Sequence, residues 1–174
     1  MIPPGVPDST YRDLAVQVAS QGGRVVLEAS GAVLEQALEA RPCMVRLNRY
    51  VLEMASGRRL DKHTHVAEAA RAIQQGGIEY LCISLGGEGA ILVDEGNSYH
   101  CGAPKVHKQS TVGSGDSLVA GLIAALRDGA SSEDMLRQGV MCGSITAAHP
   151  GTELFSRDEL GNELMNFQVS SLDI

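Results

Sequence analysis

Short apolar runs alternate with helix-period stretches along nearly the whole chain, and this alternation restricts the fold more than any other feature of the sequence. The clearest run is Glu79 to Leu85, where Tyr80, Leu81, Cys82 and Ile83 stand consecutively. A run apolar at successive positions belongs to a strand covered on both faces. Two shorter runs, Arg24 to Glu28 and Cys43 to Leu47, precede it.

Helical spacing covers Asp8 to Gln21, with Leu14, Ala15 and Val18 on one side, until Gly22-Gly23 stops it. Further helices are predicted from Ala32 to Ala40, ended by Arg41-Pro42, from Asn48 to Ser56, and from His65 to Gln75, closed by Gly76-Gly77. Gly86-Gly87-Glu88-Gly89 then turns into Ala90 to Asp94, which pairs through Glu95-Gly96-Asn97 with Ser98 to Cys101 as a hairpin. Two long helices follow, Gly115 to Asp128 and Ser131 to Ala148, the second opening on a capping-box-like Ser131-Ser132-Glu133-Asp134. A last helix is predicted from Ser156 to Asn166. The pattern predicts an α/β fold: a mostly parallel sheet flanked by helices, with one antiparallel hairpin. No repeat or linker interrupts it, so residues 1–174 read as a single domain.

The aromatic share is 3% with no Trp, so the core must be aliphatic. A net charge of −7 argues against a nucleic-acid binder, which needs a basic surface. Cys43, Cys82, Cys101 and Cys142 show no metal-finger spacing and read as reduced core thiols of a cytoplasmic protein. His63-Thr64-His65 lacks a third ligand at useful spacing, and no metal centre is expected. Neither a leader pattern nor an apolar stretch of membrane-spanning length is present, so no membrane partner is expected.

The densest chemical signal is Ser110-Thr111-Val112-Gly113-Ser114-Gly115-Asp116-Ser117, which leads directly into an amphipathic helix. Glycines at 113 and 115 free the backbone to present successive N–H groups at a helix N-terminus, an anion site by geometry and dipole together. A carboxylate beside a phosphate is repelled unless it has work there, and taking a proton from an attacking hydroxyl is such work. Spacing alone equally allows an ordinary loop with Asp116 favouring the helix dipole. The motif is no P-loop, since no Gly-Lys-Ser/Thr follows, and Leu118 in place of a third glycine speaks against a dinucleotide fingerprint.

Thr111 to Gly121 resembles the C-terminal signature of the phosphofructokinase B (ribokinase-like) family of sugar kinases. Ile83-Ser84-Leu85-Gly86-Gly87-Glu88-Gly89-Ala90 is similar to that family's nucleotide-contacting strand and turn, and Pro3 to Pro7 and Leu27 to Gly31 follow its order. The sugar-phosphate branch, including 1-phosphofructokinase, 6-phosphofructokinase and tagatose-6-phosphate kinase, is the nearest in flavour. The resemblance implies the C-terminal part of a Rossmann-like ribokinase fold and ATP-dependent phosphoryl transfer to a sugar or sugar phosphate. Amides of Gly113, Ser114 and Gly115 would then stabilise the transferred phosphoryl group, and Asp116 would be the base. Ser84, Gly86 and Gly89 would line the nucleotide, with Asn48 and Thr111 as further cofactor contacts. Backbone carbonyls near Thr111 and after Ala148 would form a monovalent-cation (K+) site.

Two departures qualify that reading. In the family a Pro-Asn-x-x-Glu segment helps organise Mg2+; here Leu47 replaces Pro and Val51 replaces Glu, which weakens the expected Mg2+ site. Glu53, about 200° further around the helix, is poorly placed to substitute, and Glu28 stands where the family usually has Asp. The chain also starts at the proline-glycine segment that in the family follows the sugar-binding half and lid, and nothing in it matches either. The expectation is a nucleotide binder without turnover alone, whose sugar-phosphate acceptor site would need another chain, and which forms a homo-oligomer. The alternative is a non-catalytic nucleotide-binding or interaction module derived from such a kinase.

Overall fold

The computed structural model describes residues 3–161 and 167–174. Helices α1 (Thr10–Ser20), α2 (Gly31–Leu38), α3 (Arg49–Ser56), α4 (His63–Gln74), α5 (Ser114–Arg127) and α6 (Ser132–Ala148) accompany strands β1 (Val26–Leu27), β2 (Met44–Asn48), β3 (Tyr80–Ser84), β4 (Ala90–Val93), β5 (Ser98–Cys101) and β6 (Val169–Ser171). The strands form one mixed sheet whose spatial order follows the chain, β1 to β6. β1 and β2 run parallel, with Val26 opposite Met44, and β5 and β6 run antiparallel, with His100 opposite Ser170. The expected α/β architecture is present.

Two expectations are corrected. The helix predicted from Ser156 is a single 3-10 turn, Arg157–Glu159, with Leu160 and Gly161 non-helical; positions 162–166 lie outside the described residues. The Ser156 hydroxyl and Glu159 carboxylate do form a capping box, so the start signal was real, but Leu160-Gly161 does not propagate it. On α1, Ala15 is buried, whereas Leu14 and Val18 are exposed at 52% and 42%. Leu14 and Val18 share one face while Ala15 lies on the next, and it is the Ala15 side that is covered.

The chain divides into two compact units. The first comprises residues 1–83, 93–98 and 173–174. Leu34, Met44, Leu47, Leu52, Leu81 and Ile83 are fully buried there, an aliphatic core as the composition requires. Arg71 of α4 holds the hairpin turn by donating to the carbonyls of Asp94 and Asn97 and to Ser98 Oγ, while Asp94 Oδ1 accepts from the N–H groups of Gly96 and Asn97.

The second unit comprises residues 84–92 and 99–172. Its frame is the α5–α6 pair, packed along small residues. A Cβ at Gly121 would lie 2.8 Å from Cys142 Sγ and 2.9 Å from the Gln138 carbonyl oxygen, and one at Gly143 would lie 2.9 Å from the Ser114 carbonyl oxygen. Real Cβ contacts are not this short, so the glycines set how closely the helices approach. Leu118, Leu122, Met135, Leu136, Met141 and Cys142 fill the space around this seam. Burial pushes the Cys82 thiol up to about 12 and those of Cys101 and Cys142 up to about 11, so these three cysteines are inert core residues; Cys43 is half-buried. No helix among the described residues is long and apolar enough to cross a membrane.

Candidate functional site

The second unit carries Ser84, Gly86, Gly89, Thr111, Gly113, Ser114, Gly115 and Asp116; Asn48 belongs to the first. Gly113 is the N-cap of α5 at φ +79, with no side-chain cap, so the helix begins with its first amides unsatisfied. Among the described residues the N–H groups of Gly113, Gly115 and Asp116 have no acceptor, and that of Ser114 makes only a 3.3 Å bond to the Thr111 carbonyl. Asp116 is exposed in the first turn. The Ser114 hydroxyl is buried without a partner among the described residues. Unpaired donors, an uncapped positive helix end and an orphaned hydroxyl fit the oxygens of a phosphate group.

This turn is held by contacts that the sequence motif does not reveal. Ser117 Oγ lies 2.8 Å from Thr146 Oγ1, which also accepts from the Phe155 N–H at 3.0 Å. Leu154 is laid over Gly113 so closely that a Cβ there would overlap its Cδ2. Gly113 is therefore glycine for two reasons, a left-handed backbone and a covering side chain. Beside it, His149 Nε2 is 2.7 Å from Glu159 Oε1 and its Nδ1 is 3.2 Å from Glu153 Oε1. The Glu159 hydrogen bond raises the His149 pKa, and the Ser156 N–H lowers that of Glu159. The predicted helix terminator at His149-Pro150-Gly151 is thus also an ion-paired clamp.

Gly86 opens the 3-10 turn Gly86–Glu88 at φ +63, with open space around it. Gly89 differs: its N–H donates to the Gly86 carbonyl, and a Cβ there would overlap the Cys101 carbonyl oxygen. Packing and a backbone at φ +91 both dictate glycine at that position.

In the first unit Asn48 caps α3, its Oδ1 accepting from the Val51 N–H at 2.8 Å. Glu53 Oε1 accepts from the Leu60 N–H at 2.8 Å, so this carboxylate has a structural task. Glu28 finds Arg46, 10% exposed on β2, at 2.5 Å. The sequence reading passed over Arg46; an arginine inside an apolar strand was the available signal. Among the described residues no group of three His, Cys, Asp or Glu side chains is arranged to hold a metal, and Val51, where a carboxylate was expected, offers no side-chain oxygen to Mg2+. Near the carbonyls expected to face K+, Thr111 O carries only the long Ser114 bond, and beyond Ala148 the Pro150 carbonyl accepts from the Glu153 N–H at 3.2 Å.

A mixed sheet with flanking helices is also the arrangement of the ribokinase-fold kinases. The Thermotoga maritima ribokinase matches with a TM-score of 0.73 over 87% of this chain and 52% of that one, at 21% identity, a likeness of fold. The chain belongs to the pfkB family of carbohydrate kinases, whose family model matches residues 1–159. It is 35% identical over 159 residues to 1-phosphofructokinase of Escherichia coli K12, covering 91% of this chain and 51% of that protein. It also matches phosphofructokinase-2 of Escherichia coli, solved in complex with potassium, with a TM-score of 0.85 and 36% identity over 91% of this chain and 52% of that one. That enzyme has also been solved with substrates and products and as a tetrameric inhibited form. The chain spans about half the length of the relatives it matches.

Proposed function

We propose that residues 1–174 act as one nucleotide-binding domain of ATP-dependent sugar-phosphate kinase descent, which binds ATP or ADP and does not by itself transfer a phosphoryl group. The observation that carries the reading is the α5 N-terminus: three amides without acceptors among the described residues, the buried Ser114 hydroxyl, and the exposed Asp116 carboxylate two residues beyond it. ATP, when bound, supplies the phosphoryl group. The amides of Gly113, Gly115 and Asp116 would donate to its oxygens, and the Ser114 N–H would exchange its long bond to Thr111 for one to an anion. The Asp116 carboxylate would accept the proton of an acceptor hydroxyl brought within about 3 Å. Ser84 and Gly86 would lie along the nucleotide, and the Thr111 carbonyl, which carries only a long bond, would face a monovalent cation such as K+.

Absence of turnover is favoured by the first unit's chemistry. Val51 offers no oxygen, Glu53 is committed to Leu60, and Asn48 to its cap. The exposed Leu14 and Val18, neighbours on one face of α1, support assembly with a second copy, and the free thiols suit a cytoplasmic setting.

Calorimetry with ATP and a coupled ADP-release assay with fructose 1-phosphate, run on wild type and Asp116→Asn, test the proposal. Nucleotide binding should persist, or tighten slightly, in the variant because a negative charge near the phosphates is removed. Both proteins should release no ADP. Turnover in wild type that vanishes in Asp116→Asn would make the chain a working kinase; failure of wild type to bind ATP would end the nucleotide reading.

A further inference from the structure

The N-terminal ends of β1, β2 and β3 in the first unit line a cavity of ≈ 280 Å3, just below the roughly 300–1,000 Å3 of drug-sized ligand sites and suited to a smaller molecule. Ala15, Ala19, Val25 and Pro42 supply apolar side chains to its lining. Three charged side chains line it: Arg24, Arg41 and Glu79. Two of them cancel, since Arg24 Nη2 lies 2.6 Å from Glu79 Oε2. Arg24 Nε also donates to Cys43 Sγ at 3.1 Å, and Cys43 lies 3.4 Å from Glu79, which ties that wall together. Burial raises the Cys43 pKa, so the thiol adds no charge.

Arg41 is different. Its guanidinium makes no hydrogen bond or ion pair with any described residue. Its backbone is left-handed, φ 49, just past the end of α2, where glycine or asparagine is the usual occupant. Its stem lies across Gly77, where an added Cβ would be 2.9 Å from Arg41 Cδ. A strained arginine, packed in place and left unpaired on the rim of a cavity, has one positive charge to offer.

We propose that this cavity binds a small organic monocarboxylate, its carboxylate paired with Arg41 and its hydrocarbon body against Ala15, Ala19 and Pro42. One uncompensated cation balances one carboxylate, and the planar guanidinium fork matches both carboxylate oxygens. Inorganic phosphate would satisfy the arginine but leave the apolar wall wet and face Glu79. The site owes nothing to the nucleotide reading.

Benzoate is the probe, followed by amide chemical shifts on the whole chain, with benzamide as its neutral counterpart and inorganic phosphate as the anion without a hydrocarbon body. Saturable shifts centred on Gly77 and Cys43 are expected with benzoate, and at least about tenfold weaker binding with either control. Arg41→Gly should weaken benzoate by at least about tenfold while holding or raising the thermal midpoint, because glycine relaxes the left-handed backbone. Benzoate binding that is absent, or unchanged in Arg41→Gly, or matched by benzamide or phosphate, would overturn the proposal.

Discussion

Ser117 Oγ and Thr146 Oγ1 sit 2.8 Å apart with both side chains buried, joining the first turn of α5 to the last turn of α6. Thr146→Val keeps the shape but removes the hydroxyl, leaving Ser117 and the Phe155 N–H without their partner. Denaturant unfolding should show a loss of about 1–3 kcal/mol. Nucleotide affinity should fall with it, because the amides of Gly113 and Gly115 lose their support. Thr146→Ser should restore most of both; a Thr146→Val protein indistinguishable from wild type would mean the pair holds nothing.

The glycine seam makes a sharper stability prediction. Gly121→Ala places a methyl 2.8 Å from Cys142 Sγ and 2.9 Å from the Gln138 backbone, which cannot rotate away. The expected cost is about 1–3 kcal/mol, read as a lowered thermal midpoint. Gly96→Ala is the comparison, since an added Cβ there meets nothing within 4 Å. Its effect should stay within about 0.5 kcal/mol.

The His149 clamp should make the 149–159 segment pH-sensitive. His149 is raised above its ordinary 6.5 by Glu159, so its contribution is complete below 6.5 and fades as pH rises through the elevated folded value. Glu159 is lowered below its ordinary 4.5 by the Ser156 N–H, so its contribution is complete above 4.5 and fades as pH falls through the depressed value. Between those ordinary values both are in force. Amide exchange, corrected for intrinsic pH dependence, should be slowest for residues 151–156 between pH 4.5 and 6.5 and should rise above it. His149→Gln should flatten the alkaline side; a wild-type profile already flat there would remove the clamp.

Much of this molecule could be read from its residues in order. β3 was legible because Tyr80 to Ile83 is apolar on both faces, and α5 because Gly113 and Asp116 bracket its start. β6 was not, since Val169-Ser170-Ser171 carries no strand pattern and is placed by backbone pairing with β5. The anion turn's chemistry was local and therefore visible. Its supports were not: Thr146 is 29 residues from Ser117, and Leu154 reaches Gly113 only through the fold. Likewise nothing in the spelling of Glu53 told that Leu60 would claim it.

Gly89 bears on how this family's sequences are compared. With the Cys101 carbonyl oxygen occupying the place of any side chain, selection would erase every substitution there, whatever the turn binds. Invariance at position 89 would then be a record of crowding between two strand ends. At Gly86 a side chain would meet open space, so the φ of +63 is the constraint that remains there, one that asparagine meets more readily than a branched residue.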